Sequence, residues 1–482
     1  MGKYDVIVVG AGISGLLSAL TLSKHGKKVL VLEKEKHVGG NCNSYDVDGY
    51  QVDTGPHAIT HLQVGPLKRL MDNYFDYVPV FEDYGHYYVR TEQNFMKVPS
   101  NIKELVTFDA IPKIDGVVLA QAITKSLTLS TFGIDLSKQS VYDSLPRTLS
   151  QDTYDFVNAI SYFLSGRSME ETSAQRVLAG SSFVRDSVTQ EQFESIVGKP
   201  DRPRPESILQ SVLPTNLHSS FQARFNSVSG PFSSLSRLAT NKVNYSQGYP
   251  RKGLKGLLNA LLLSIPDSVE IKTQCPVTRI NTEDGKVTGV ETDDDTYQAD
   301  IVIHTGFAKQ LEDMVSEIPG SYKKHLQGIV HTKSLTVWLG LEKIMDEFNY
   351  MGSEIWYKDN PYWAMPISNY DPSLAPKDKQ LVGFTFVIDD NKPEEKEIKK
   401  AYDTIYKAIP GIERYIEMQH DQIIIPEKAA VTIDGNFAEI RTPIKNLYIA
   451  GTDTDKRSMG ITRAAFSIIE MLGILNEDGN LH

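Results

Sequence analysis

The sequence predicts an α/β protein that opens on a Rossmann-like strand–helix–strand unit, and three observations carry that reading. Tyr4-Asp5-Val6-Ile7-Val8-Val9 is a β-branched apolar stretch that runs into the glycine turn Gly10-Ala11-Gly12-Ile13-Ser14-Gly15. The chain closes on a comparable pair, an apolar stretch at 446–451 and a helical apolar segment at 461–475. Between them, blocks of helical and of strand periodicity alternate, and at 482 residues the chain is about three times a typical domain. A Rossmann-like domain interleaved with a mixed α+β domain is expected.

Each element follows from local pattern. Residues 4–9 read as a strand buried on both faces. Leu16, Leu17, Ala19, Leu20 and Leu22 give the next helix one broad apolar face, Gly26 ends it, and 28–33 is a second buried strand. Such a unit is parallel and right-handed by default. From about Ile102 to Arg237 helical segments prevail, and within them 117–136 is apolar apart from Gln121, Lys125 and Asp135. Tyr249-Pro250 leads into a helix at 254–263. Strands follow at 277–280, 287–290 and 299–303, with Asp284-Gly285 as a hairpin turn, and again at 334–341 and 381–388. Pro393 opens a charged helix in which Ile398, Ala401, Ile405 and Ile409 recur at helical spacing.

Composition excludes several classes. With 61 acidic against 50 basic residues the net charge is −11, which argues against a nucleic-acid partner. The 40% hydrophobic and 23% charged fractions are those of a globular chain, not a disordered one. Cys42 and Cys275 are the only cysteines, so there is no CxxC, disulfide framework or zinc cluster, and a reducing, cytoplasmic setting is expected. No apolar run is long enough for a spanning helix, and the opening strand leaves no room for a signal peptide. No Ser-His-Asp set or metal-ligand cluster stands out, so no metal is expected.

Gly10, Gly12 and Gly15 form G-x-G-x-x-G. The first permits a tight turn, the second lets a pyrophosphate approach the backbone, and the third lets helix and strand pack closely. The helix N-terminus offers free N–H groups and the positive end of its dipole. Glu33, at the tip of the second strand, can accept from an adenosine ribose hydroxyl and would repel a 2′-phosphate, which disfavours NADP. NAD and FAD both remain open on these residues. No second glycine fingerprint appears mid-chain, and a further pair, Gly39-Gly40, lies just past the acid.

The stretches GAGISG, VLVLEK, VGGN and DGYQVDTGPHAIT, between Gly10 and Thr60, resemble the phytoene desaturase branch of the flavin-dependent amine oxidase superfamily. That superfamily also includes protoporphyrinogen oxidase and monoamine oxidase. The run Gly49 to Thr60 is similar to the carotenoid desaturases and their isomerase and saturase relatives. Residues 249–261, Pro276-Val277-Thr278-Arg279-Ile280 with Gly289-Val290 and Ala299-Asp300, and 446–466 resemble three later family segments.

The resemblance implies that Gly10, Gly12 and Gly15 cradle the pyrophosphate of a non-covalent FAD and that Glu33 takes its ribose. Gly39 and Gly40 would pass close to the flavin side, and Val277 would offer backbone bonds to adenine. Gly451 and Asp453 would lie by the diphosphate and ribityl chain, with Gly460-Ile461 starting a helix aimed at the flavin pyrimidine. Asn41 stands where the family usually has an arginine bound to phosphate, and Lys34, Lys36 or His37 are candidates for the missing charge. The loop 452–457 lacks the glycines and prolines common in bacterial carotenoid desaturases. His57 and Lys333 are the candidates at the reacting centre: His57 for its place after Gly55-Pro56, Lys333 because amine oxidases carry a lysine near flavin N5.

The expected function is an FAD-dependent oxidoreductase acting on a bulky apolar substrate, a desaturase, isomerase or saturase of an isoprenoid or carotenoid, with oxygen or a quinone as diffusible acceptor. The alternatives are a porphyrinogen- or amine-oxidising relative, an amine oxidase being expected to show an aromatic cage that Trp338, Trp356, Tyr357, Tyr362 and Trp363 could supply, and a catalytically silent FAD-binding scaffold or chaperone. The cofactor-binding segments are expected at 1–95, 238–310 and 420–482, and the substrate domain at 96–237 and 311–419. Residues 117–136 are a candidate for peripheral membrane contact, or else core helices of the substrate domain.

Overall fold

The structure, a computed structural model, describes residues 3–55, 57–178, 187–198 and 247–482. Strand β1 (Tyr4–Val9) leads into α1 (Ile13–Lys24) and β2 (Val29–Leu32). A hairpin of β3 (Ser44–Val47) and β4 (Tyr50–Asp53) turns at Asp48 and Gly49, both at positive φ. After β5 (Phe81–Asp83), β6 (His86–Arg90) and β7 (Phe95–Lys97) come helices, the longest of them Lys113–Thr131 and Gln151–Ser165. Next are β8 (Gly248–Pro250), the helix Leu254–Ser264, β9 (Val269–Lys272), β10 (Val277–Glu283), β11 (Lys286–Thr292) and β12 (Thr296–His304). The chain continues through β13 (Thr332–Leu341), β14 (Gly352–Trp356), β15 (Tyr362–Met365) and β16 (Gln380–Val387). The helix Glu394–Ala408, β17 (Ile416–Glu427), β18 (Leu447–Ile449) and the closing helix Gly460–Glu477 complete it.

Two seven-stranded sheets organise these elements. In the first, β18, β12, β1, β2 and β9 run parallel in that order, and β10 and β11 continue from the first half of β12 as an antiparallel meander. The second has the order β17-β13-β16-β15-β14-β6-β7 and is antiparallel except where β6 joins β14. The expected α/β class therefore holds.

The first sheet is covered on both faces. One core joins Val6 and Val8 to Leu16 and Leu20 of α1, Leu257 and Leu261, and Ile468 and Leu472 of the closing helix. The other joins Ile7, Leu30, Val302 and Ile449 to Leu311 and Leu326. This sandwiching buries α1 from Ser14 to Leu22 on every side rather than along one stripe. Sheets covered on both faces demand the continuous apolar strands seen in the sequence.

β6, β7 and β17 pair into the second sheet, although residues 86–95 and 420–427 fall inside the expected cofactor-binding segments. Strand pairing is long-range, so a motif boundary does not reveal it. The parts of the expected helical stretch at 179–186 and 199–237, and Pro56, lie outside the described residues. Among the described residues no helix is long and apolar enough to cross a membrane.

Asp53, at the end of β4, holds distant parts of this frame together. Its buried carboxylate accepts from Ser44 Oγ (2.6 Å), Tyr249 OH (2.5 Å) and the Leu254 N–H (3.1 Å) that begins the helix Leu254–Ser264. Gly253 stands at φ +66, where a Cβ would come within 2.4 Å of Asp53 Oδ1, so only glycine fits. Burial pushes the Asp53 pKa up from 3.8 to about 6, against the pull of its three donors. Between those values the native state holds a proton that the unfolded chain has released, so native stability falls as pH rises through the window. Urea denaturation at pH 4 and pH 7 should show wild type losing roughly 2 kcal/mol relative to Asp53→Asn over that range. A pH-independent difference would contradict this account.

Candidate cofactor and substrate site

The parallel strands deliver their carboxyl ends to one edge, the position where open α/β sheets bind ligands. Gly10 follows β1 at φ +102, and a Cβ there would meet Thr305 Oγ1 at 2.8 Å. The Thr305 hydroxyl donates to Val9 O (2.9 Å) and Gly10 O (3.1 Å), tying the ends of β1 and β12. A Cβ on Gly15 would stand 1.9 Å from Gly10 O, so α1 docks this closely only with glycine at that position. Gly12 is different: its φ is an ordinary −69°, and no heavy atom lies within 4 Å of its Cβ position. Neither strain nor packing requires glycine here; the open space beside the helix N-terminus does.

Glu33 is buried, and its carboxylate accepts from Ala11 N (2.6 Å) in the glycine loop and from Glu35 N (2.9 Å). Gly39 forms a backbone bridge with Gly12, and the Gly40 Cβ position lies 3.2 Å from Gly12 Cα, so the glycine pair closes one side of the same space. The Cys275 N–H donates to Glu33 O (2.8 Å), which brings the start of β10, with half-buried Val277, beside the acid. Asn41 is exposed and donates from Nδ2 to Ile425 O (2.8 Å). Lys34, Lys36 and His37, the other candidates for the missing charge, are all exposed.

At the end of β18, the Gly451 N–H donates to Ser467 Oγ (2.8 Å). Asp453 is buried; Oδ2 accepts from Ala308 N (2.8 Å), and Oδ1 has no partner among the described residues. A buried acceptor left unpaired costs about 1–3 kcal/mol. Open space at Gly12 and an unpaired oxygen at Asp453 both suit a dinucleotide, which brings phosphate to the first and hydroxyl donors to the second.

The closing helix begins at Gly460, at φ +53. Its first N–H donates to the carboxylate of Glu427, at the end of β17, which also pairs with Arg463 Nη1 (2.7 Å). This helix terminus thus already faces a buried anion of the chain itself. Burial pushes the Glu427 pKa up, with Arg463 opposing. Beside it lies a cavity of about 100 Å³ lined by His57, Glu427, Gly460, Ile461 and a row of aromatic rings. In that row Tyr84 meets Tyr87 at 5.4 Å between centroids, Tyr87 meets Phe163 at 5.5 Å, and Phe163 meets Trp363 at 5.5 Å. His57 Nε2 must donate to Thr54 O (2.9 Å), since a carbonyl only accepts, and this leaves Nδ1 as an acceptor. Burial holds the ring below its usual pKa and hence neutral.

Lys333 does not join this site. Alternate residues of a strand face opposite ways, and Thr332 lines the cavity while Lys333 turns to the face covered by the helix Glu394–Ala408. There Nζ pairs with Glu394 (2.9 Å) and Asp390 (3.7 Å). The five aromatics considered for an amine cage also separate. Trp356 and Tyr362 pack in one core, Tyr357 and Trp363 against a second, and Trp338 in a third, and of the five Trp363 lines the cavity. Glu427, Arg463 and the row from Tyr84 to Phe163 had no signal in the sequence beyond their residue types.

A parallel sheet with this glycine loop, joined to a second sheet that walls a cavity, defines the dinucleotide-cofactor class of oxidoreductase. Residues 13–465 match the family model described as flavin containing amine oxidoreductase, and the chain belongs to that family. It is accordingly a flavin-dependent oxidoreductase. An uncharacterized protein in the nifH2 3′ region of Methanothermococcus thermolithotrophicus is 57% identical over 102 residues, 21% of this chain and 98% of that one. The all-trans-retinol 13,14-reductase of Macaca fascicularis is 39% identical over 83 residues, 16% of this chain and 14% of the reductase. A crystal structure of an oxidoreductase from Methanosarcina mazei shares the fold, with a TM-score of 0.70 at 18% identity over 96% of this chain and 99% of that one.

Two substitutions check the geometry. Gly12→Val should keep the apoprotein within about 1 kcal/mol of wild type in urea, a helix N-cap change with no clash, while flavin content after purification falls at least tenfold. Lys333→Met should cost under about 1 kcal/mol, as for an exposed ion pair, and leave the rate of flavin reduction unchanged.

Proposed function

We propose that the chain binds FAD non-covalently and acts on a bulky, apolar, polyene-like substrate of the isoprenoid or carotenoid class as a desaturase, isomerase or saturase. The aromatic row Tyr84–Tyr87–Phe163–Trp363 beside the closing helix carries this reading, since tilted and edge-to-face rings suit an extended apolar chain. The run Gly49 to Thr60, similar to the phytoene desaturase branch, and the match to a retinol reductase support it.

Bound flavin supplies the hydride-exchanging centre. Glu33 would accept from the adenosine ribose, Gly12 would leave room for the pyrophosphate, Asp453 Oδ1 would accept a ribityl hydroxyl, and Val277 would meet adenine through its backbone. The aromatic wall would orient the substrate and exclude water, and neutral His57 would present Nδ1 as a proton acceptor. Neither cysteine lies in the segment that closes the cofactor edge, and Cys42 is buried, in keeping with non-covalent binding. Electrons would leave to oxygen or a quinone.

We also propose peripheral membrane contact. The helix Lys113–Thr131 buries Leu119, Ala120 and Leu127 in a core, yet its two ends expose Ile114 (74%) and Phe132 (72%), with Val117 and Ile134 beside them. Flotation with neutral vesicles should carry the protein upward; protein that stays wholly in solution would end this idea.

Anaerobic mixing of the FAD-loaded protein with polyenes, porphyrinogens and amines tests the main reading. Polyenes should bleach the oxidised flavin or reoxidise the reduced one. A response to amines or porphyrinogens alone would overturn it, and purified protein without releasable flavin would overturn the cofactor assignment.

A further inference from the structure

Lys428 directly follows the end of β17 and turns inward. Its Nζ donates to the carbonyls of Thr305 and Gly306, the latter at 2.7 Å, in the loop past the carboxyl end of β12. Thr305 is the residue whose hydroxyl braces Gly10. The Lys428 N–H donates to Thr452 Oγ1 (3.1 Å), and the Gly451 Cβ position lies 3.0 Å from Lys428 Nζ and 2.9 Å from Asp453 Oδ1. One ammonium therefore sits among the loops that follow β1, β12 and β18, beside the unpaired Asp453 oxygen.

An ammonium carries three donors. Two go to carbonyls, and no third acceptor meets Nζ among the described residues. Burial pushes the Lys428 pKa below the usual lysine range, while Asp453 opposes the shift. A cation so placed is held against its desolvation cost and gains most from an anion brought to it. Among the other candidates for that charge in the described residues, Asn41 is neutral and turned to Ile425, Lys34, Lys36 and His37 are exposed, and Arg463 is paired with Glu427.

We propose that Lys428 is the cationic partner of the cofactor's diphosphate, supplying from the end of β17 the charge that Asn41 lacks. The assignment rests on the FAD reading above. It makes Lys428 a binding residue, and it means that a strand of the second sheet delivers charge to the cofactor edge of the first.

The test is equilibrium binding to apoprotein, followed by flavin fluorescence, with FAD and with riboflavin, which has no phosphate. A charge-assisted hydrogen bond is worth about 1.5–3 kcal/mol. Lys428→Met should therefore weaken FAD about ten- to a hundredfold and leave riboflavin within about twofold. Lys428→Arg should restore most of the FAD affinity, and Lys428→Gln, which keeps donors but no charge, should behave as the methionine variant does and replaces it if that protein fails to fold. The FAD affinity of wild type and of Lys428→Arg should also fall more steeply with added salt than that of the neutral variants, which decides the matter if riboflavin binds too weakly to measure. Equal weakening of FAD and riboflavin would make Lys428 a clamp on the Thr305–Gly306 loop and overturn the proposal, as would unchanged FAD binding or a common salt slope. Wild-type apoprotein that binds no FAD would overturn the cofactor reading itself.

Discussion

The close approach of α1 to β1 is the constraint on which the cofactor edge depends. With Gly15 set against the Gly10 carbonyl, the helix N-terminus arrives at the end of the sheet with its N–H groups unobstructed. The three glycines of one motif answer to three different demands. Gly10 serves a backbone conformation closed to other residues, Gly15 serves contact between helix and strand, and Gly12 serves space left for something outside the chain. The last is the functional one, because nothing in the fold itself asks for it.

Around this edge the protein buries ionisable groups that would be costly elsewhere. Buried Glu33, Asp453, Glu427 and Arg463, with half-buried Lys428 next to Glu427, come from four separate stretches of chain and meet where strands end. Arg463 balances Glu427, and backbone donors hold Glu33. Asp453 keeps one oxygen unpaired among the described residues, an arrangement that a folded chain tolerates where a ligand completes it. Asp53 shows the structural counterpart: accepting from Ser44, Tyr249 and Leu254, it binds the hairpin to a helix two hundred residues away and leaves neither carboxylate oxygen unpaired for a ligand.

The cavity and the cofactor edge are built on opposite logics. Backbone geometry dominates the edge, so glycines and strand ends define it. Side chains dominate the cavity, and Tyr84, Tyr87, Phe163 and Trp363 come from the β5–β6 connection, a strand, a helix and a second strand that share no periodic signal. This explains why His57 could be placed from its motif while the aromatic row could not, and why Lys333 and four of the five proposed cage aromatics pointed elsewhere. A strand's alternation was readable; which of its two faces looks into the cavity depends on which layer covers the other.

The sequence by itself determined the βαβ opening, the glycine fingerprint with Glu33, the β10–β11 hairpin at Asp284-Gly285 and the closing strand and helix. Each is a local matter of apolar periodicity or of a φ angle that neighbouring residues must adopt. The tertiary structure decided the rest: the membership of β6, β7 and β17 in the second sheet, the turn of Lys333 away from the site, and the convergence of Glu427, Arg463 and Lys428 on the cofactor edge. Strand partners and the neighbours of a buried charge are set by packing between segments hundreds of residues apart, and no window of sequence contains both sides of such a contact.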